Sequence, residues 1–350
     1  MNWSLPCGIF NENYKKDMAF IRTRVRWFIL FFLLILLATF PHFVDEYFVR
    51  VAILIAINII VVLGLSVITG YAGQISLGHA GFVAIGAYCS GILVYYYSVP
   101  FWFSVPISAL ISGLVGSVLL LPALRLRGFY VALATVSAQF IISWGLTRLP
   151  WTGSSALTTH PAPELMGIDF GQMRNYYYIV MVCLLFCTYF VKNLSRTHVG
   201  RAWIAIRDND LAAEILGISL FKYKVWAFFI GTSLAGLAGA LQAHFTCSIH
   251  AEFFSLNESI WYLGYLIVGG LGTVIGPWAG TILFMGLNEI LVFGMGAVAS
   301  IAIVSATYFI MIKEILFGLI FVLLVVLEPR GFAHRWELFQ NWYRIFPFKY

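Results

Sequence analysis

Gln74, Ser76 and His79 place amide, hydroxyl and imidazole groups in an otherwise apolar run, Gly64 to Tyr88 (GLSVITGYAGQISLGHAGFVAIGAY). These groups alternate with Gly70, Gly73, Gly78 and Gly81. Hydrogen-bonding groups of this kind suit the passage of a polar solute, and the glycines permit a broken helix and close backbone approach. Irregular backbone at membrane depth is tolerated only where protein or a water-lined path satisfies it. Gln74, Ser76, Gly78 and His79 are therefore candidates for a translocation path. On the other reading the glycines only pack helices together, Gln74 and Ser76 bond across the interface, and His79 is a packing residue. Bond-making chemistry has no comparable constellation. The chain has no Gly-x-x-x-x-Gly-Lys-[Ser/Thr], no Gly-Lys dipeptide and no His-Glu-x-x-His, so a phosphate cradle, a catalytic site and a metal site are not expected in it. Cys7, Cys89, Cys183, Cys187 and Cys247 are scattered and read as small core residues rather than a disulfide framework.

The elements that must hold these residues follow from composition. Of 350 residues 61% are hydrophobic and 10% charged, against about 25% charged in a soluble domain. Apolar runs recur at about 27–44, 51–69, 75–97, 101–121, 128–146, 176–191, 225–245, 259–275, 277–293 and 308–327, each near the length that crosses roughly 30 Å of hydrocarbon. They lack the alternation of barrel strands, so the expected fold is an all-α, polytopic transmembrane bundle of about 8–10 helices. Residues 1–26 form a basic N-terminal segment, 27–327 the transmembrane domain and 328–350 a C-terminal tail. The basic residues before Trp27 resemble a secretory signal, but no small-residue cleavage site follows Thr39, which favours an uncleaved first helix. The stretch 291–312, rich in Gly, Ala and Ser, is read as an extra helix or a partly embedded segment.

Placing the N-terminus in the cytoplasm puts 17 of the 21 Lys and Arg on the inner side and leaves Arg50, Arg148, Arg174 and Lys313 opposite. The positive-inside rule then makes both termini cytoplasmic. With the basic residues spread among loops instead of one face, a nucleic-acid partner is not expected.

The longest inner loop, Ser195 to Lys224, reads SRTHVGRAWIAIRDNDLAAEILGISLFKYK. Apolar residues at helical spacing flank a polar break, Arg207-Asp208-Asn209-Asp210, which supplies a cap for a second helix, and Gly217 is placed to end it. Two short helices in an elbow should result. Membrane lipid is one partner for such a basic segment. The small residues Gly200, Ala202, Ala205, Ala212, Ala213 and Gly217 leave shallow grooves rather than a lipid-inserting aromatic face, which favours docking into a protein.

This loop resembles the coupling loop of the permeases of branched-chain amino-acid ABC importers, with a small-residue helix, an Arg-Asp turn and a second helix ending in Leu-Gly-Ile. The core Gly70-Tyr71-Ala72-Gly73-Gln74-Ile75-Ser76-Leu77-Gly78-His79-Ala80 resembles that family's most specific signature. Leu124 to Tyr130, Thr152-Gly153-Ser154, Ala235 to Ala240, Gly269 to Gly272 with Gly276-Pro277, and Glu328 to Gly331 extend the likeness in order along the chain. The resemblance implies an inner-membrane subunit that imports branched-chain amino acids or similar small solutes. It also implies a second related permease chain, two cytoplasmic ATPases holding ATP and magnesium, and a periplasmic solute-binding protein. ATPase coupling would fall on Gly200, Arg201, Ala205, Arg207, Asp208, Asn209, Ala213 and Gly217. Two further readings are an ion-coupled transporter or channel for urea or an amide, disfavoured by few buried acids, and a haem-bearing subunit with His79 and His244 as ligands.

Overall fold

The computed structural model describes residues 24–123, 128–149, 156–158, 164–165, 168–169, 171–299, 306–327, 331–333, 335 and 338. Arg125 and Arg127, Thr152-Gly153-Ser154, Glu328 to Arg330, and most of the two terminal segments lie outside them. Helix α1 runs Arg24–Phe43 and α2 Glu46–Leu65, the latter continuing as a wide π-helical turn, Ser66–Tyr71. Then follow α3 His79–Tyr97, α4 Phe101–Leu120 and α5 Phe129–Arg148. Three short strands, β1 Ala156–Thr158, β2 Glu164–Leu165 and β3 Ile168–Asp169, precede α6 Met173–Arg196. The elbow is α7 His198–Asp208 and α8 Asp210–Ile215, followed by α9 Leu220–Thr246. After β4 Ser248–His250 and a 3-10 turn, Ala251–Phe254, come α10 Leu256–Gly269, α11 Ile275–Ala299 and α12 Ala306–Leu327.

Each of the ten apolar runs forms a helix, with boundaries shifted. Seven helices among the described residues are long and apolar enough to cross a membrane. Two differences matter. The run at 75–97 becomes helical only at His79, residues 72–78 forming an irregular, non-helical connection. The run at 259–275 gives a helix of 14 residues, about 21 Å long and too short to cross by itself. The stretch 291–312 is shared between the end of α11 and the start of α12, so among the described residues it adds no further helix.

α9 is the centre of the bundle and packs on α2, α3 and α4. With no hydrophobic drive between helices in lipid, such contacts depend on close van der Waals fit. A Cβ at Gly86 of α3 would collide with the Gly236 backbone of α9, and one at Gly64 of α2 would lie 2.5 Å from the Gly231 carbonyl oxygen. Ser112 of α4 donates to the Phe82 carbonyl at 2.8 Å, and Tyr176 of α6 to the Leu241 carbonyl at 2.6 Å. β1 pairs antiparallel with β4, Leu157 opposite Ile249, which joins the end of α5 to the end of α9 on the side away from the elbow.

Crowding at Gly86 predicts that Gly86→Val lowers the thermal unfolding midpoint in detergent by several degrees, since overpacking costs about 1–3 kcal/mol or more. Gly145 of α5 has nothing within 4 Å of its would-be Cβ, so Gly145→Ala should leave the midpoint unchanged or raise it. Equal effects at the two sites would contradict this account of α9.

Candidate functional site

A helix that begins inside a bilayer exposes its first N–H groups where no water can satisfy them. α3 is such a helix. Its N-terminus faces Thr135 and Gln139, which lie two to three turns into α5, and Val61, ten residues before the end of the π turn. Both offsets place His79 roughly 10–15 Å inside the elbow-side ends of those helices at about 1.5 Å per residue. The non-helical segment 72–78 leads from Tyr71, at the elbow side, to His79.

Neighbouring side chains supply the missing acceptors. Leu77 N–H donates to Thr135 Oγ1 at 3.0 Å and Ala80 N–H to Ser259 Oγ at 2.9 Å. Gly81 N–H donates to Gln139 Oε1. The other end of the same amide, Gln139 Nε2, donates to the Phe254 carbonyl at 2.5 Å. Phe254 closes the 3-10 turn that leads into α10 from the opposite side. One buried glutamine therefore ties together two segments that each stop partway through the membrane. Thr135, Gln139 and Ser259 escaped the sequence reading; the signal available was a glutamine in the middle of the apolar run of α5.

The residues singled out by sequence sit beside this staple. Over residues 73–76 exposure alternates, Gly73 and Ile75 turned outward and Gln74 and Ser76 inward. Ser76 and His79 are fully buried and Gln74 is 7% exposed. Thr69 donates to the Gln74 carbonyl at 3.0 Å and Gln74 Nε2 to the Ala72 carbonyl at 3.3 Å. Gln74 Oε1, Ser76 Oγ and Ser66 Oγ have no partner. Among the described residues neither ring nitrogen of His79 has a hydrogen-bond partner. Gly78 serves close approach, since a Cβ there would collide with the Thr135 carbonyl. His244 bonds to Ser90 Oγ at 2.9 Å, eleven residues or about 16 Å along α3 from His79. The two histidines are too far apart to ligate one haem iron.

The elbow forms as two short helices. Asn209 Oδ1 accepts from Ala212 N–H at 3.1 Å, and Gly217, at φ +83°, closes α8 with Ile218 N–H bonded to the Ala213 carbonyl. Three contacts hold it to the bundle. Trp203 Nε1 donates to the Tyr223 carbonyl at 2.8 Å, and buried Lys224 pairs with Asp210 at 3.3 Å. Arg207 Nη1 donates to the Gly70 carbonyl at 3.0 Å, while its Nε and Nη2 hold Asp208 Oδ1 at 3.1 and 3.0 Å. Gly200 and Ala213 are buried against the chain itself, Ala205 is half-buried, and Arg201, Asp208, Asn209 and Gly217 are exposed. The outward apolar groups are Leu211, Ile215 and Leu216, exposed by 58%, 87% and 78%.

The family described as branched-chain amino acid transport system / permease component matches residues 47–327. The high-affinity branched-chain amino acid transport system permease proteins LivM of Escherichia coli and Salmonella typhimurium are 34% and 33% identical over 266 residues, which is 69% of this chain. The chain spans 63% of the length of those relatives. A probable branched-chain amino acid transport permease protein LivM of Methanocaldococcus jannaschii is 20% identical over 313 residues, covering 78% of this chain and 89% of the relative. No solved structure matches.

Replacing Gln139 by leucine removes an acceptor and a donor at once and strands the Gly81 N–H and Phe254 carbonyl. Each buried unsatisfied group costs about 1–3 kcal/mol. Gln139→Leu should therefore lower the thermal midpoint in detergent more than Ser137→Ala, whose hydroxyl bonds only within its own helix. Equal midpoints would show that Gln139 is not the staple.

Proposed function

We propose, since this chain belongs to the family of branched-chain amino acid transport system permease components, that it is the membrane-spanning subunit of an ATP-driven importer of branched-chain amino acids or similar small solutes. The observation that carries this reading is the elbow. A polar segment outside the apolar spans offers Leu211, Ile215 and Leu216 outward, while its buried face is anchored to the bundle by Trp203, Asp210 and Arg207. Exposed apolar groups on a polar segment between the membrane spans suit a groove in a partner protein. That partner would be an ABC ATPase, one for each of two related permease chains, and it would hold the ATP and magnesium. A periplasmic solute-binding protein would deliver the solute.

On this reading the elbow lies in the cytoplasm of a bacterial cell and the membrane is the inner one. Alternation of the helices then puts the start of α1 and the end of α12 on the cytoplasmic side, together with Gly331 beside Gly270. Arg201, Asp208, Asn209 and Gly217 form the polar rim of the docking surface. Gly200 instead lets α7 pack closely on the end of α6, and Ala213 is buried. The inward face of the 72–78 segment is the best candidate for the solute path, because Ser66, Gln74, Ser76 and His79 carry buried polar atoms without partners. Such atoms are costly unless the protein uses them. The ion-coupled alternative has less support. Glu289 is bonded to Tyr47 at the bundle's edge, and no cluster of three acidic, His or Cys groups stands among the described residues.

The docking surface predicts that Ile215→Asp with Leu216→Asp cuts the ATPase co-purified with the permease at least tenfold, as expected when two apolar side chains worth about 1.5–3 kcal/mol each are lost from an interface. Normal association would turn the elbow into a lipid-surface segment. The path predicts that Ser76→Leu leaves ATPase association intact and lowers leucine uptake into reconstituted vesicles about tenfold or more. Normal uptake would leave these residues a packing role.

A further inference from the structure

The Arg207 side chain, 36% exposed, bridges the elbow and the end of the π turn. Its Nη1 holds the carbonyl of Gly70, the penultimate residue of the π turn, at 3.0 Å. Three glycines clear the space around it. A Cβ at Gly73 would lie 2.8 Å from Arg207 Cγ, one at Gly272 2.7 Å from Nη1, and one at Gly70 2.7 Å from the Gly272 nitrogen. Gly73 and Gly272 both have positive φ, +68° and +74°, so side chains there are excluded by backbone conformation as well as by space. The guanidinium therefore sits where three separate parts of the chain meet: the elbow, the break between α2 and α3, and the turn between α10 and α11.

We infer that Arg207 is a strut that carries movement of the elbow to the broken segment 72–78 and so to Gln74, Ser76 and His79. This rests on the elbow being the ATPase contact. The last carbonyls of a helix have no N–H ahead of them to accept from and depend on outside donors; Gly70, next to last in the π turn, is one of them. Arg207 fills that vacancy with a charge-assisted bond, the stronger kind. Asp208 Oδ1 fixes the guanidinium from the elbow side through two donors, so that rotation of α7 must pull on Gly70. Lysine could not hold both partners, having one compact charge instead of a planar fork. Arg207 is thus a positioning residue for transport: its Nη1 is turned to Gly70, whereas the apolar part of the docking surface is Leu211, Ile215 and Leu216 of α8.

The test places a cysteine at Ile75, which is outward-facing and 41% exposed, in the full complex with its ATPase. Maleimide labelling of that cysteine, corrected for the chain without it, is timed with and without a non-hydrolysable ATP analogue. The nucleotide should change the labelling rate about threefold or more when Arg207 is present. Arg207→Gln should abolish the response while the ATPase co-purified stays within about twofold, and Gly272→Ala should do the same through its clash with Nη1. The strut is overturned if Arg207→Gln keeps the nucleotide response, if nucleotide never alters labelling in the chain with Arg207 intact, or if Arg207→Gln sheds the ATPase. The reading beneath it fails separately, when Ile215→Asp with Leu216→Asp keeps the ATPase bound.

Discussion

The fold depends on satisfying backbone where the bilayer offers no water. α3 begins partway through the membrane, and its first amides would be unpaired without Thr135, Gln139 and Ser259. α10 has the matching problem, entered through a short 3-10 turn whose last carbonyl needs a donor. Gln139 answers both with one side chain, because a primary amide carries an acceptor and a donor on the same planar group. Two discontinuous elements can then exist in one bundle only at a fixed height and distance from each other. The non-helical segment 72–78, with the buried polar atoms of Gln74 and Ser76, leads into α3 at that point.

Around this staple α9 acts as a mast against which the discontinuous helices lean. Glycine-to-backbone contacts with α2 and α3 bring those helices closer to α9 than ordinary side chains allow. Hydroxyls of α4 return to neighbouring carbonyls, so the small polar residues there serve the contact and stay satisfied. The apolar side chains that remain exposed, such as Phe140, Trp144 and Phe186, face outward where hydrocarbon or a partner helix covers them.

The elbow is held differently, by charge and by an indole. Lys224 is 2% exposed and its charge is balanced by Asp210; removing one member of such a pair is far more costly than removing both. Trp203 ties α7 to the base of α9, and Arg207 ties it to the end of the π turn. A short polar loop thereby becomes a rigid piece whose outer face is free for a partner and whose inner face grips the two glycine-rich interruptions. Those interruptions, Gly70 to Gly81 and Gly269 to Gly280, meet where Gly70 and Gly272 approach so closely that neither has room for a side chain.

Length and hydropathy by themselves pointed to an all-α bundle of about 8–10 helices, because apolar runs in lipid must satisfy their own backbone groups; among the described residues each of the ten runs contains a helix. The elbow was equally legible, since caps and stop signals are local: Asn209 begins α8 and Gly217 ends it through bonds spanning a few residues. The cluster at Gly70 to His79 announced a break, but its height in the membrane did not follow from composition. That height was decided by Gln139, Thr135 and Ser259, which stand 58 or more residues away in sequence and look like ordinary polar residues of packed helices. The same limit applied to the elbow's faces. Small residues such as Gly200 and Ala213 suggested a surface open to a partner, yet tertiary structure buries them and turns Leu211, Ile215 and Leu216 outward. A helix pattern gives the relative phase of its residues; which phase meets the bundle is set by long-range contacts, here Trp203 with Tyr223, Asp210 with Lys224 and Arg207 with Gly70.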